Sequence, residues 1–358
     1  MLVGILKPFR GTVRSMLDVY KQILDHNDIP YIDLDINDPG FWNDVKRIDV
    51  FMAKIAQTDD DLALAAQIIP VINKFLGVRC FPDYNTVWHY DDKVKQYYLL
   101  HSMGYPVIES YIFWDRAKAL EWATRTNYPV IFKLKGGAGS VNVKKITKFK
   151  QAKGLIEKAF SSGIHPHYFD LPNKFKAFNY DTTKIAKYLT KPFYRRLLLG
   201  ISGYSNYTRH KNYVYFQKYL PDNAWDTRVT IVGSRAFAFR RFVRKNDFRA
   251  SGSNHYDMSR EKIDMRFVEI GFAISQKLGF QSMAYDFIYD ENHEPSLIEM
   301  SYTYGDYPEF STGYWDLQLK WHDGSYIPEY LELVDALNMP DIKQPHIDLD
   351  SPYKNAKM

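Results

Sequence analysis

Two carboxylates near the end of the chain have the spacing of a metal-binding hairpin. Asp286 and Glu299 lie in two apolar stretches, 283–289 and 296–300, which a tight turn joins. Residues on neighbouring strands of a hairpin can face each other across the sheet. Two carboxylates that meet in this way are unfavourable unless a cation neutralises them, and a few hard oxygen ligands suit Mg²⁺ that also binds phosphate. Two independent acids at a sheet edge are the alternative, favoured if phosphate-binding groups are absent elsewhere.

A lysine followed by glycines offers such a phosphate-binding group. Residues 128–140 read YPVIFKLKGGAGS, an apolar strand that contains Lys133 and then Gly136, Gly137 and Gly139. Glycine has no Cβ, so the bend can lie flat on an anion. Lysine adds a compact positive charge. An ordinary surface hairpin is the alternative interpretation.

Further polar groups lie between these two features. The segment QKYLPD at 217–222 ends a strand, and its backbone could offer a donor and an acceptor to an adenine edge, with Asp222 placed to accept from a ribose hydroxyl. Asp226 and Arg228 are two residues apart and therefore share one face of the next strand. Guanidinium groups bind phosphate and carboxylate oxygens with two bonds at once. A dense basic patch follows, made of Arg240, Arg241, Arg244 and Arg249.

Alternating strands and helices position these groups. Apolar stretches at 2–6, 31–36 and 50–55 alternate with helical patterns at 15–25 and 60–77, which predicts a parallel α/β unit. Further strands are predicted at 107–113, 213–220, 227–232 and 234–243, and further helices at 91–103, 115–126, 148–160, 265–278 and 328–337. The sequence therefore predicts an α/β protein.

Composition limits the class of protein. The 358 residues favour two or three subdomains, and a net charge of +5 is too small to argue for nucleic-acid binding. The single cysteine, Cys80, excludes an internal disulfide and favours a reducing compartment. No stretch approaches the roughly 20 apolar residues that cross a bilayer. We expect a cytoplasmic protein without a transmembrane segment or a nucleic-acid partner.

The order of these features resembles the ATP-grasp superfamily of glutathione synthetase and the ribosomal-protein glutamate ligases. The resemblance runs from about residue 80 to 305. Five motifs carry it: DKVKQYYLLHSMGYPV for the first nucleotide lysine and its helix, YPVIFKLKGGAGS for the second lysine and the glycine loop, QKYLPDNAWDTRVTIVGSRAFAFRR for the adenine hinge and central strands, FRAS for the substrate-side arginine, and AYDFIYD with LIEMS for the metal strands.

The resemblance implies roles for single residues, with Lys133 on the α- and β-phosphates and residues 136–140 over the phosphates. The nucleotide-binding set is Lys93, Lys133, Gly136, Gly137, Gly139, Ser140, Gln217, Lys218, Tyr219, Leu220 and Asp222. The catalytic set is Arg228, Arg241 and Arg249, and the metal set is Asp286, Glu299 and Ser301. The family commonly has Asn where this chain has Ser301, which leaves a second metal ion open. Strand register decides whether Arg240 or Arg241 faces the phosphates, and we favour Arg241.

The implied fold is α/β of the ATP-grasp type, in which two α+β subdomains grip ATP after a small parallel α/β domain. The expected units are 1–90, the pre-ATP-grasp domain; 91–215, the small subdomain with the glycine loop and a basic, aromatic insertion; 216–340, the large subdomain with the metal site; and 341–358, a polar tail.

The implied activity is an ATP- and Mg²⁺-dependent ligase that joins a carboxylate to an amine through an acyl phosphate. Amino acids and sugar acids are the candidate substrate classes. The segment SYTYGDYPEFSTGYWD resembles ATP-grasp proteins of bacterial surface-glycan gene clusters, which suggests glycan modification. A kinase on the same fold and a non-catalytic nucleotide-binding partner in glycan assembly are the alternatives. A homodimer is left open.

Overall fold

The protein is described here by a computed structural model. It describes residues 1–9, 14–137, 142–166, 208–244, 247–251, 253, 255–304 and 308–347. Gly139 and Ser140, most of the basic insertion and most of the polar tail lie outside the described residues. Three β-sheets organise the rest, and none of the helices in these ranges has the length and apolar character that crossing a membrane requires.

The first sheet is parallel, with strand order β2-β1-β3-β4. Its strands are β1 (Val3–Leu6), β2 (Tyr31–Leu34), β3 (Val50–Met52) and β4 (Arg79–Phe81), and its helices are α1 (Arg14–His26), α2 (Phe41–Val45) and α3 (Asp59–Pro70), with a π-helical turn at Val71–Phe75. Thr58 caps α3, because its hydroxyl accepts a hydrogen bond from the Asp61 N–H at 3.2 Å. The predicted parallel unit is present.

The second sheet is antiparallel, with strand order β5-β8-β6-β7. Its strands are β5 (Ser110–Phe113), β6 (Val130–Lys133), β7 (Val143–Ile146) and β8 (Val214–Lys218), and the helices of this region are α4 (Tyr84–Val87), α5 (Lys93–Ser102), α6 (Arg116–Arg125) and α7 (Phe149–Ala159). Val130 and Phe132 pack with α6 and α7. Successive side chains of a strand point to opposite faces, so Ile131 and Lys133 face the other way.

The third sheet is also antiparallel, with strand order β13-β12-β9-β10-β14-β15. Its strands are β9 (Trp225–Val232), β10 (Arg235–Phe242), β11 (Tyr256–Asp257) beside β10, β12 (Ser282–Tyr289), β13 (Pro295–Ser301), β14 (Gly313–Trp315) and β15 (Trp321–Asp323), and its helices are α8 (Met265–Leu278) and α9 (Pro328–Leu337), with 3-10 turns at Arg260–Lys262 and Pro308–Ser311. Gly279 ends α8 in the left-handed conformation, at φ 68°.

Helix α9 packs on the first sheet, although it follows the third sheet in sequence. Leu333 and Leu337 share a core with Val3 and Val50. A buried ion pair fixes the same contact, because Lys54 Nζ lies 2.9 and 2.7 Å from the two carboxylate oxygens of Glu332. Removing one partner of a buried pair typically costs several kcal/mol, so this pair strongly specifies how α9 docks.

Two predicted elements differ from the structure. The strand predicted at 107–113 begins only at Ser110, because Val107 instead bridges Leu297 of β13 and the chain crosses from the third sheet to the second. The helix predicted at 60–77 changes from α to π at Pro70, which has no N–H to donate. Helices α2 and α4 and the β14–β15 pair have no counterpart in the sequence-based prediction.

His89 is buried, and neither of its ring nitrogens has a hydrogen-bond partner of ordinary geometry in the part of the chain that the structure describes. Its ring packs 4.9 Å from that of Phe280. Burial lowers the pKa of His89 to about 3, and the charge of Lys95 acts in the same direction. The unfolded chain takes up a proton near pH 6.5, whereas the folded protein does not. The stability that the neutral ring contributes is therefore complete above pH 6.5 and is lost as the pH falls toward 3.

We expect His89→Phe to remove this acid sensitivity. Between pH 7.5 and 4.5 the free energy of unfolding of the wild type should fall more than that of the variant, by on the order of 2–3 kcal/mol. Urea unfolding at the two pH values measures the difference. His26→Gln, on the exposed end of α1, is the matched control and should keep the wild-type dependence. Equal pH dependence in wild type and His89→Phe would contradict the argument.

Candidate functional site

A cavity of about 950 Å³ lies between the second and third sheets. Strands β6 and β8 supply one wall, and β12 and β13 supply the opposite wall. The predicted residues that line it are Lys93, Lys133, Gly137, Gln217, Lys218, Tyr219, Leu220, Asp222, Arg249, Asp286 and Glu299. The packing of the two sheets thus brings together side chains that are up to about 200 residues apart in sequence.

Lys133 brings a buried cation to this cavity. Its side chain is 4 % exposed, and in the described part of the chain no carboxylate lies within the ion-pair limit of 4.0 Å. Burial lowers the pKa of Lys133 to about 8 and Lys93 acts in the same direction, whereas Glu299 raises it. A buried charge without a partner is unfavourable. The site therefore favours an anionic ligand beside Lys133.

Lys93 connects the glycine bend to the acid of β13. It is the first residue of α5, and its Nζ donates to the Gly137 carbonyl at 2.9 Å and lies 3.4 Å from Glu299 Oε2. Burial lowers the pKa of Lys93, but the carboxylates of Glu299 and Asp91 outweigh burial and raise it above its usual value. Lys93 is therefore charged at neutral pH.

Asp91, which the sequence-based prediction missed, binds the backbone of the glycine bend. The Gly137 N–H donates to both carboxylate oxygens of Asp91 at 2.9 Å. A Cβ on Gly136 would lie 2.9 Å from Asp91 Oδ2, and one on Gly137, at φ 104°, would lie 2.5 Å from Asn142 Nδ2. The Gly137 N–H therefore points to Asp91, and Gly136 does not line this cavity, whereas Gly137 does. That residues 136–140 cover the phosphates stays a prediction.

The two predicted metal ligands lie directly opposite each other, since Asp286 of β12 pairs with Glu299 of β13. Their surroundings differ. Asp286 accepts two hydrogen bonds from Arg228, at 2.7 and 2.9 Å, and its Oδ2 lies 2.7 Å from Arg241 NH2. Burial raises the pKa of Asp286, but both guanidinium groups outweigh burial and hold it below its usual range. The side chain of Glu299 is 32 % exposed, so Glu299 is the more accessible carboxylate.

The register of strand β10 determines whether Arg240 or Arg241 lies beside Asp226 and Asp286. Arg241 is 1 % exposed and donates to Asp226 at 2.7 and 2.8 Å, beside its contact with Asp286. Arg240 points to the other side, where it bonds Asp257 and lies 4.7 Å above the Trp225 ring.

Neither Arg228 nor Arg241 lines the cavity. Both guanidinium groups bind the carboxylate of Asp286. The catalytic role of Arg228 and Arg241 stays a prediction.

The segment at the end of β8 has an aromatic, cationic surface. Lys145 Nζ lies 3.6 Å from the centroid of the Tyr219 ring, and the Phe248 ring meets that ring edge-on at 6.0 Å. Such a surface suits a flat aromatic base. The side-chain amide of Gln217 donates to Ser110 Oγ at 3.3 Å and to Tyr215 Oη at 3.2 Å.

Asn223, also missed, fixes the segment that contains Asp222. Its side-chain amide accepts from the Tyr289 N–H at 2.9 Å and donates to the Tyr289 carbonyl at 3.0 Å. The turn after β8 is thereby attached to β12. Nothing in the sequence distinguished this Asn from an ordinary turn residue.

The side chains of Arg249 and Ser301 both bond to other groups of the protein. Arg249 lines the cavity, and its guanidinium donates to Asp247 at 3.0 and 2.6 Å. Ser301 does not line the cavity, and its hydroxyl donates to the Thr303 carbonyl at 2.6 Å. The third metal ligand that the sequence suggested is therefore turned to the backbone.

The carboxylates of Asp286 and Glu299 fit a cation that also binds phosphate. Among the residues that the structure describes, no group of three or more His, Cys, Asp or Glu side chains could hold a metal ion. Asp286 and Glu299 supply hard carboxylate oxygens, and Mg²⁺ typically takes one or two carboxylates plus substrate phosphates and waters. The two acids therefore fit Mg²⁺ only together with a phosphate-bearing ligand.

Known structures share this architecture. The chain is similar to D-cycloserine synthetase (TM-score 0.54, 13% identity, covering 94% of this chain and 99% of that one) and to D-alanine–D-alanine ligase from Bacillus anthracis complexed with ATP (0.52, 11%, 86% of that chain and 84% of this one). It is also similar to a macrocyclase from Microcystis aeruginosa bound with its precursor peptide (0.53, 10%, 94% of this chain and 100% of that one). No protein-family model and no curated protein matches the sequence. Identities this low establish the fold alone.

Proposed function

The chain has the ATP-grasp fold, and we propose that it is an ATP- and Mg²⁺-dependent ligase that joins a carboxylate to an amine. One observation carries the proposal: buried Lys133 faces the paired acids Asp286 and Glu299 across a single cavity. Cations on one wall and metal-binding carboxylates on the other are the charges that a Mg²⁺-bound triphosphate needs.

The first step transfers the γ-phosphoryl group of ATP to the substrate carboxylate. A carboxylate oxygen attacks phosphorus, the bond to the β-phosphate oxygen breaks, and ADP leaves with that electron pair. Lys133 and Lys93 bind the phosphates and offset the negative charge. Positioning and charge stabilisation supply most of the catalysis in such a reaction, so no protein nucleophile is required.

The second step forms the amide. The amine attacks the acyl phosphate, loses a proton and expels phosphate. Mg²⁺, when bound by Asp286, Glu299 and the phosphates, neutralises charge on the nucleotide. Arg228 and Arg241 hold Asp286 ionised, and Asp91 and Lys93 hold the glycine bend against the cavity. Arg249 lies on the cavity wall, where release from Asp247 would let it bind the acid substrate.

The adenine is placed against the end of β8 in this proposal. Tyr219 and Leu220 supply the aromatic and apolar surface and the backbone groups, and Asp222 supplies a carboxylate for the ribose. An amino acid and a sugar acid are the proposed substrate classes, and modification of a bacterial surface glycan is the proposed role. The resemblance of residues 301–316 to glycan-cluster proteins supports this role.

Hydroxylamine trapping tests the activity. The protein is incubated with ATP, MgCl₂, hydroxylamine and a panel of amino acids and sugar acids, and we expect an acyl hydroxamate together with equimolar ADP and phosphate. Omitting MgCl₂ should remove the product. A phosphorylated product that resists hydroxylamine would identify a kinase instead. Tight ATP binding without turnover across the panel would identify a non-catalytic nucleotide-binding protein.

A further inference from the structure

A second cavity of about 950 Å³ lies on the other side of the glycine bend. Helix α3, the segment 84–95 and the residues 208–213 form its walls, and Gly137 lines both cavities. Its volume lies at the upper end of the range for small-molecule sites, roughly 300–1,000 Å³. None of the nucleotide-binding chemistry proposed above uses this space.

The charge of the second cavity is asymmetric. Its acids, Asp59, Asp91 and Asp92, are all engaged by the protein. Asp59 accepts from the Thr208 N–H, Asp91 from the Gly137 N–H, and Asp92 caps α5 and lies 3.4 Å from Lys135 Nζ. The described lining has more cations than these three acids, namely Lys74, Lys95, Lys135, Arg209 and Lys211, so the cavity carries a net positive charge.

Among the described residues, three cations of this cavity have neither an ion-pair nor a hydrogen-bond partner for their charged group, whereas Lys95 Nζ donates to the Trp88 carbonyl at 2.8 Å. In the described ranges, Lys74, Arg209 and Lys211 line the cavity without a carboxylate inside the 4.0 Å ion-pair limit. They lie on two different walls, Lys74 after α3 and the other two just before β8. Cations that converge from two walls without internal partners are complementary to an anionic ligand.

The same cavity offers an apolar surface. Leu62, Ala66 and Pro70 of α3 line it, and large aromatic side chains stand at its edge. Phe75 is 82 % exposed and Trp114 is 58 % exposed, an unusual exposure for such residues. A ligand that covered them would remove apolar area from water.

We propose that this second cavity binds a small carboxylate that carries an aromatic or alkyl body. The carboxylate is bound by Arg209, Lys211 and Lys74, and the body packs on Phe75 and the apolar face of α3. Because binding is defined without ATP, the proposal is independent of the ligase activity. A substrate and an effector share this chemistry, and consumption of the compound in the presence of ATP and MgCl₂ distinguishes the two.

Dansyl-glutamate, an aromatic dicarboxylate, is a suitable fluorescent probe. We expect saturable binding to the full chain without ATP, at least about tenfold tighter than that of dansyl-glutamate converted to its diamide. Arg209→Glu should weaken the binding of the acid about tenfold or more, and Phe75→Ser should weaken it several-fold. Lys153→Glu, a charge reversal on the exposed face of α7, is the matched control and should have no effect.

Two further measurements test whether the probe binds in the second cavity. Lys133→Ala, in the first cavity, should leave probe affinity unchanged, and thermal unfolding of each variant checks that the fold is kept. If Arg209→Glu is unstable, Lys74→Glu makes the same test from the other wall. Equal affinity for acid and diamide, no binding at all, or loss of binding in Lys133→Ala would each overturn the proposal.

Discussion

Replacing Lys133 by alanine is expected to weaken ATP binding by about 100-fold or more, since charge-assisted hydrogen bonds to phosphate are among the strongest in proteins. The side chain is buried and its ammonium has no ion-pair partner in the described part of the chain. The folded protein should not lose stability, because the variant removes a buried charge whose pKa is already lowered to about 8.

Calorimetric titration with a non-hydrolysable ATP analogue and MgCl₂ measures this effect. Lys133→Met keeps most of the volume without the charge and should behave like Lys133→Ala. Lys144→Ala, an exposed lysine on the neighbouring strand β7, is the control and should bind normally. Wild-type affinity should also fall as the pH rises above about 8, because Lys133 is then neutral in the free protein. Unchanged affinity in both Lys133 variants would remove its phosphate role.

Glu299→Gln is expected to abolish Mg²⁺-dependent turnover, by about 10³-fold, with the fold retained. Its carboxylate is the more accessible of the two acids, and it balances the charge of Lys93. The amide keeps the shape of the side chain but cannot supply the negative charge that the metal needs. Residual activity close to that of the wild type, measured by ADP release at saturating ATP, would show that Glu299 does not bind the metal.

Asp286→Asn should behave differently, and the contrast tests the structure. It leaves the guanidinium groups of Arg228 and Arg241 without their shared carboxylate, and breaking a buried pair in this way typically costs about 3–5 kcal/mol. We therefore expect loss of both stability and turnover in Asp286→Asn, but loss of turnover alone in Glu299→Gln. Urea unfolding of the two variants side by side measures the difference.

Local patterns in the sequence were sufficient to predict the strands that carry the site residues and the strand face on which each side chain lies. An apolar run placed Lys133 in a strand before glycines, and the hairpin β12–β13 placed Asp286 opposite Glu299. Both follow from the period of two in a strand and from a short turn. The ATP-grasp fold predicted from the order of motifs is confirmed by the similarity to solved structures of that fold.

Only the tertiary structure decided how the polar groups are used. Asp91 binds the glycine bend, Arg228 and Arg241 bind Asp286, and α9 packs on the first sheet through Glu332. Each of these contacts joins residues that lie 45 or more positions apart, on different strands, helices or loops. Local periodicity does not show which of these distant segments meet. Spacing along the chain determines which face a side chain occupies. Strand pairing within a sheet and the packing of one sheet against another determine which partner each charged side chain meets, and hence which groups remain available to a ligand.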